Sequence, residues 1–183
     1  KFLVTPDHKY KEYIHLSDDN GLGNKYIKSI YADHEGTIWV GTYGNGVVHI
    51  TDNYFSFYKH TSKDYSNNVT SLLIGDQQKW FGLENGLLKI DLNTRDKWNF
   101  YAKTNGFVND KVTAVFQMDS SRIFIGTEKS GTFVFDPRRS VFKKTELSED
   151  ALCNSVNCIT GYGHIAWIAT KNGVFKLDLD KEI

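Results

Sequence analysis

The chain has 183 residues, with 22 basic and 22 acidic side chains and no net formal charge. That length suffices for one domain with a sizeable core, and the charge balance argues against a general nucleic-acid binder, which carries a basic excess. Aromatic residues make up 14% and there are 15 glycines against two prolines, a composition that suits an all-β chain with tight turns.

No run of 18 apolar residues offers a transmembrane helix, and the opening Lys1-Phe2-Leu3-Val4-Thr5 reads as a strand, not a signal peptide. Phe2 to Asp7 and Tyr10 to Ile14 resemble the third and fourth strands of a repeating unit that then recurs along the chain. The first full copy reads as four strands. These are Asn24 to Asp33, then Thr37 to Thr42 after the turn Asp33-His34-Glu35-Gly36, then Gly46 to Ile50, then Tyr54 to Tyr58. The second copy runs Asn68 to Leu73, Lys79 to Gly82, Gly86 to Ile90 and Trp98 to Tyr101. The third runs Lys111 to Phe116, Arg122 to Thr127, Gly131 to Phe135 and Val141 to Lys143. The fourth runs Ser155 to Ile159, His164 to Thr170 and Gly173 to Leu177, with the turn Gly161-Tyr162-Gly163-His164 and no fourth strand.

An aromatic residue marks the second strand of every copy, at Trp39, Trp80, Phe124 and Trp167, a spacing of 41 to 44 residues. A fixed period in that range signals a repeat architecture. Continuous apolarity in the second strands predicts burial on both faces, with the aromatic filling the gap between stacked sheets. Gly41, Gly82 and Gly126 precede the end of that strand, and Ala169 replaces them in the fourth copy. The requirement there is therefore for a small side chain. Gly46, Gly86, Gly131 and Gly173 never vary between copies and are expected at positive φ or a bulge. Small residues at Ser29, Ser71, Ala114 and Cys158 fit an innermost strand crowded around an axis. Together these features predict a β-propeller of four-stranded antiparallel blades, about four repeats, over 1–183. Its parts are the end of a preceding blade at 1–16, blades at 24–62, 66–104 and 109–146, and an incomplete blade at 152–183. A β-sandwich, the main rival, does not account for the period.

The copies resemble the two-component regulator propeller repeat. The first matches nearly throughout (NKYIKSIYADHEGTIWVGTYGNGVVHIT); the second carries Leu83 for Thr, the third Phe124 for Trp and the fourth Ala169 for Gly. The resemblance implies a fragment of a larger propeller in the extracytoplasmic, periplasmic sensor region of a bacterial hybrid histidine kinase. Many such regions sense fragments of complex polysaccharides, and the resemblance implies that this segment is not an enzyme and that the kinase lies elsewhere in the parent protein.

No catalytic signature is visible: there is no G-x-S-x-G, H-E-x-x-H or P-loop. Gly21-Leu22-Gly23 lacks a following helix to hold a phosphate. Asp18-Asp19-Asn20-Gly21 lacks the downstream Glu of a calcium loop. The six histidines fall at unrelated repeat positions, so no metal or cofactor is expected. Cys158 reads as a small core residue, and a disulfide to Cys153 stays open. Paired carboxylates for glycosidic chemistry also stay open.

Binding is the better-supported chemistry. In a propeller the loops joining second to third strands, and those leading into first strands, share the axial face. They carry Lys25, Tyr43, Asn45, Glu84, Asn85, Asn109, Lys111, Lys129, Lys171 and Asn172. Asn and Lys can hydrogen-bond sugar hydroxyls, acidic groups or carbonyls, and Tyr43 offers a stacking face; the bland alternative is that these are solvated turns. Three function classes follow: a carbohydrate-responsive sensor, a protein-interaction scaffold, and a polysaccharide-degrading enzyme. Expected partners are an oligosaccharide, the remaining blades of the parent, and a second copy meeting the chain at unpaired blade edges. Tyr10 to Ile14 could complete the last blade within one chain or between two, the tighter four-bladed ring being the less favoured.

Overall fold

The computed structural model describes residues 15–51, 54–59, 63, 66–75, 78–91, 97–103, 106–119 and 122–178. Within them the backbone forms fifteen strands in four antiparallel sheets, each a simple meander. The first contains β1 (Ile27–Ala32), β2 (Ile38–Thr42), β3 (Val47–Thr51) and β4 (Tyr54–Tyr58). The second contains β5 (Val69–Ile74), β6 (Gln78–Leu83), β7 (Gly86–Asp91) and β8 (Lys97–Tyr101). The third contains β9 (Val112–Asp119), β10 (Arg122–Thr127), β11 (Thr132–Asp136) and β12 (Val141–Thr145). The fourth has three described strands, β13 (Val156–Tyr162), β14 (Ile165–Thr170) and β15 (Gly173–Asp178).

The sheets are propeller blades. Their first strands are innermost: β1 packs on β5, β5 on β9 and β9 on β13, and no comparable packing joins β13 back to β1. The proposed completion of the last blade by Tyr10 to Ile14 falls outside the described residues.

The core lies between blades. Trp39 and Val47 of the first blade pack on Val69, Phe81, Leu88 and Ile90 of the second. Trp80 and Leu87 of the second pack on Val112, Ile125, Phe133 and Phe135 of the third, where Trp80 meets Phe135 edge-on with ring centroids 5.3 Å apart. Phe124 of the third packs on Val156, Ile159 and Ile168 of the fourth. So each second strand is buried on both faces in the first three blades, as its unbroken apolarity requires.

The fourth blade differs because nothing among the described residues covers its outer face. Trp167 is 45% exposed where Trp39, Trp80 and Phe124 are at most 2% exposed, and Val174 is 64% exposed where Val47, Leu87 and Thr132 are at most 1%. Cys158 is also exposed, correcting its reading as a core residue, and both Cys153 and Cys158 are free thiols. At the other end Ile30 is 72% exposed, while Leu22 and Leu16 cover Val40 and Val48.

The two glycine classes have different causes. Gly41, Gly82 and Gly126 are not at positive φ. A Cβ at Gly82 would overlap Ser71 Oγ and sit 2.8 Å from Val112 Cγ1 of the next blade. The requirement is space, and it lapses at Ala169, beside which the described residues place no further inner strand. Gly46 has φ 72°, and a Cβ there would overlap the Tyr58 carbonyl oxygen; this is a backbone requirement.

The Asp-x-x-Gly turn of the first blade also has a mechanical reason. Asp33 Oδ1 accepts from the backbone amides of Glu35 (3.1 Å) and Thr37 (2.9 Å), and Oδ2 accepts from Trp39 Nε1 at 2.8 Å. One carboxylate closes the hairpin and fixes the aromatic that fills the blade interface. In the fourth blade the turn is shorter than expected: Gly161 and Tyr162 belong to β13, Tyr162 pairs with Ile165, and only Gly163 and His164 form the turn.

Candidate functional site

Two local devices set the residues of the axial mouth. The first is the loop after each second strand. The Thr42 hydroxyl donates to the Gly46 carbonyl at 2.8 Å, Thr127 to Gly131 at 2.8 Å and Thr170 to Gly173 at 3.1 Å. This accounts for the threonine of the Gly-Thr pair: its buried hydroxyl is satisfied by the loop it closes. The next backbone amide then donates to the residue just before the inner strand: Tyr43 to Tyr26, Glu128 to Lys111 and Lys171 to Ser155, at 2.9 to 3.0 Å. One backbone bond thus sets two side chains side by side, and the blades fill the pair differently. Lys111 and Glu128 form an ion pair at 3.1 Å. Asn68 Nδ2 donates to Glu84 Oε2 at 2.7 Å. The fourth blade has Ser155 with Lys171.

The second device is a register break at the start of every inner strand. Pairing skips one residue between Ile27 and Ser29, Val69 and Ser71, Val112 and Ala114, and Val156 and Cys158. The residues passed over are Lys28, Thr70, Thr113 and Asn157. A bulge leaves its extra residue out of the ladder and re-aims its side chain.

These devices meet in one open cleft of about 310 Å³. All four bulge residues line it. Lys111 and Ser155 join them from the approaches to β9 and β13, and Glu84, Glu128 and Lys171 from the loops after the second strands. Its size is at the small end of the roughly 300–1,000 Å³ of ligand pockets. Its wall combines hydroxyls, an amide, three ammonium groups and two carboxylates, a set suited to hydrogen-bonding a polar ligand. The Lys28 ammonium sits 5.3 Å from the Tyr43 ring centroid.

Of the ten residues expected on this face, Glu84, Lys111 and Lys171 line the cleft. Tyr43 borders it through Lys28. Lys25 lies over the Tyr26 ring, 5.7 Å from its centroid. Three asparagines serve the loops instead. Asn45 Nδ2 donates to the Gly23 carbonyl at 3.2 Å, Asn85 Oδ1 accepts from the Ser66 amide at 2.9 Å, and Asn172 Nδ2 donates to Asp150 Oδ2 at 2.5 Å. Each clasps the segment entering its own blade. Asn109 and Lys129 are exposed outside the cleft. Between them Asp110 accepts from the amides of Lys111, Lys129 and Ser130 at 2.8 to 2.9 Å. Burial works to raise its carboxyl, but the hydrogen bonds from Ser130, Lys129 and Lys111 outweigh that and hold it below the usual carboxylate range.

Sequence reasoning passed over Lys28, Thr70, Thr113, Asn157, Ser155 and Glu128. Glu128 carried a usable signal, since it occupies the repeat position of Glu84 and Lys171. Among the described residues no group of three or more His, Cys, Asp or Glu is placed to hold a metal, and no helix is long and apolar enough to cross a membrane.

Stacked meander sheets whose inner strands line a polar cleft define a β-propeller segment. Residues 21–44, spanning β1 and β2, match the sequence family described as Two component regulator propeller. No curated protein matches the chain. Among solved structures it resembles the extracellular domain of a B. thetaiotaomicron protein described as a hybrid two component system, BT3049 (TM-score 0.79, 20% identity, 98% of this chain and 25% of that one). A second such domain from the same organism, BT4673, gives TM-score 0.72 at 20% identity over 93% of this chain and 23% of that one. Virginiamycin B lyase from Staphylococcus aureus gives TM-score 0.70 at 13% identity over 94% of this chain and 56% of that one. The chain thus spans about a quarter of the length of these two extracellular domains, and at these identities the likeness is one of fold.

Proposed function

We propose that this chain is a non-catalytic, ligand-binding propeller segment of a periplasmic sensor in a two-component system, responding to carbohydrate fragments. The observation that carries this reading is the axial cleft, to which all four repeats contribute polar side chains through the same bulge. Closely spaced hydroxyl, amide and carboxylate groups suit the alternating donors and acceptors of a sugar ring. The match over 21–44 and the fold shared with extracellular sensor domains support the signalling context. On this reading the partners are an oligosaccharide in the cleft and, on the uncovered faces bearing Trp167 and Ile30, further blades of the same kind or a second copy.

The test is a glycan array probed with the chain and with Thr70→Ala/Asn157→Ala, two changes at the cleft wall. Binding by the parent that the double variant loses is expected. An array with no retained glycan, or retention indifferent to the cleft changes, refutes the reading.

A further inference from the structure

We propose that the ligand of the axial cleft is an anionic saccharide whose acidic group is held by Lys28 and Lys171. This rests on reading the cleft as the ligand site and adds the charge class of the ligand.

Lys111 is paired with Glu128 at 3.1 Å and Lys89 lies 3.8 Å from Asp91. Lys79 is buried over the Trp39 ring, 4.5 Å from its centroid. In the cleft, Lys28 and Lys171 differ: among the described residues neither has a carboxylate within ion-pair distance. Lys28 rests over the Tyr43 ring, which orients an ammonium while leaving its charge uncancelled and its N–H donors open to a ligand. Lys171 occupies the repeat position that holds Glu84 and Glu128 in the second and third blades. There the glutamates are matched by Asn68 and Lys111. Its own neighbour is Ser155, which supplies no charge.

The cleft is therefore polarised by blade. The first and fourth blades contribute cations without counter-charges. The second and third contribute both carboxylates, each already engaged. A neutral sugar would leave the two ammonium groups unmatched, whereas a carboxylate or sulfate ester would accept from them in charge-assisted hydrogen bonds. The Asn157 amide remains for ring hydroxyls, whereas the Thr70 hydroxyl donates to the Gly82 carbonyl at 2.9 Å and the Thr113 hydroxyl is buried.

The experiment is calorimetric titration of the chain with trisaccharides of glucuronic, galacturonic and mannuronic acid, with their methyl esters, and with neutral trisaccharides beside their singly sulfated forms. The esters keep the sugar and remove the charge. At least one acidic probe is expected to bind about tenfold or more tightly than its neutral counterpart, the gain of a charge-assisted bond. Added salt should narrow that gap. Lys28→Gln/Lys171→Gln should abolish the gap by weakening the acidic probes more than their esters, with near-ultraviolet circular dichroism confirming that both exposed substitutions keep the fold. Preference for the uronates or for the sulfated probes identifies the acidic group. Esters and neutral probes binding as well as their charged counterparts would overturn the anion assignment and leave the sugar-binding reading standing. Absence of binding by every probe would overturn both.

Discussion

Gly82→Ala tests the claim that blade spacing is set by the second strands. Gly82 pairs with Ser71 on β5 and Leu87 on β7, and its φ is not in the positive region, so alanine carries no backbone penalty. Alanine should even gain roughly 0.5–1 kcal/mol from the smaller entropy of its unfolded chain. Against that, the added methyl overlaps Ser71 Oγ and sits 2.8 and 3.1 Å from Val112 Cγ1 and Cβ. Val112 is fully buried on the inner strand of the next blade, so it yields only if β9 moves away from β5. Overpacking of this kind costs about 1–3 kcal/mol, and the net expectation is a loss of about 1–2 kcal/mol after the backbone gain. Ser71→Ala, which removes a buried hydroxyl without a hydrogen-bond partner among the described residues, should recover part of the loss and leave the part due to Val112. Ala169→Gly makes the reverse exchange where the described residues place no further inner strand, and should cost only about 0.5–1 kcal/mol, through chain entropy alone. The assay is urea unfolding followed by tryptophan fluorescence, comparing midpoints at constant slope. A Gly82→Ala protein as stable as its parent, or less damaged than Ala169→Gly, would refute the spacing argument.

Two further outcomes follow from the same packing. Trp80→Ala should cost about 3–5 kcal/mol, as for any fully buried large aromatic. Trp167→Ala should cost well under half of that in the dilute chain, and Trp167→Glu should lower any concentration-dependent mass seen by light scattering; equal losses at the two tryptophans would contradict the burial difference. His49 lies against Trp39 with ring centroids 4.4 Å apart. Burial, with the nearby Lys79 charge, holds its imidazole below the ordinary 6.5, only partly opposed by Asp33. The unfolded chain therefore takes up a proton at a pH where the folded chain does not, so stability falls as pH drops from about 6.5 through the folded value. Urea midpoints measured between neutral and mildly acidic pH should show that slope, and His49→Gln should flatten it; an unchanged slope in the variant would remove His49 as its source.

The architecture was legible because one constraint is imposed four times. Each second strand must be apolar on both faces and narrow at one point, so Trp39, Gly41 and their counterparts announce the blade interface in one dimension. Comparing copies even separated two kinds of glycine, since Ala169 is tolerable only where space, not φ, is the issue. The cleft was less legible for two reasons. A bulge shifts the alternation of a strand by one residue without leaving a mark in composition, so Lys28, Thr70, Thr113 and Asn157 read as ordinary strand positions. Loop asparagines have two uses that look alike in sequence, and at Asn45, Asn85 and Asn172 the local one, clasping the incoming segment, takes their hydrogen-bonding groups. The end effect at Trp167 and Cys158 depends on what stands beside the fourth blade, which no within-repeat pattern encodes.

Placement of the cores between sheets has a consequence for how such a chain can be divided or extended. Trp80 is encoded with the second repeat, but the pocket it fills is made by the third. A boundary drawn between two repeats in the sequence therefore cuts through a hydrophobic core in space, and the smallest piece with a closed core is a pair of neighbours. Lengthening the array by one whole repeat copies an interface that already fits, whereas gaining or losing part of a repeat leaves a half-core exposed. Size in this architecture is thus quantised, with stability accumulating interface by interface.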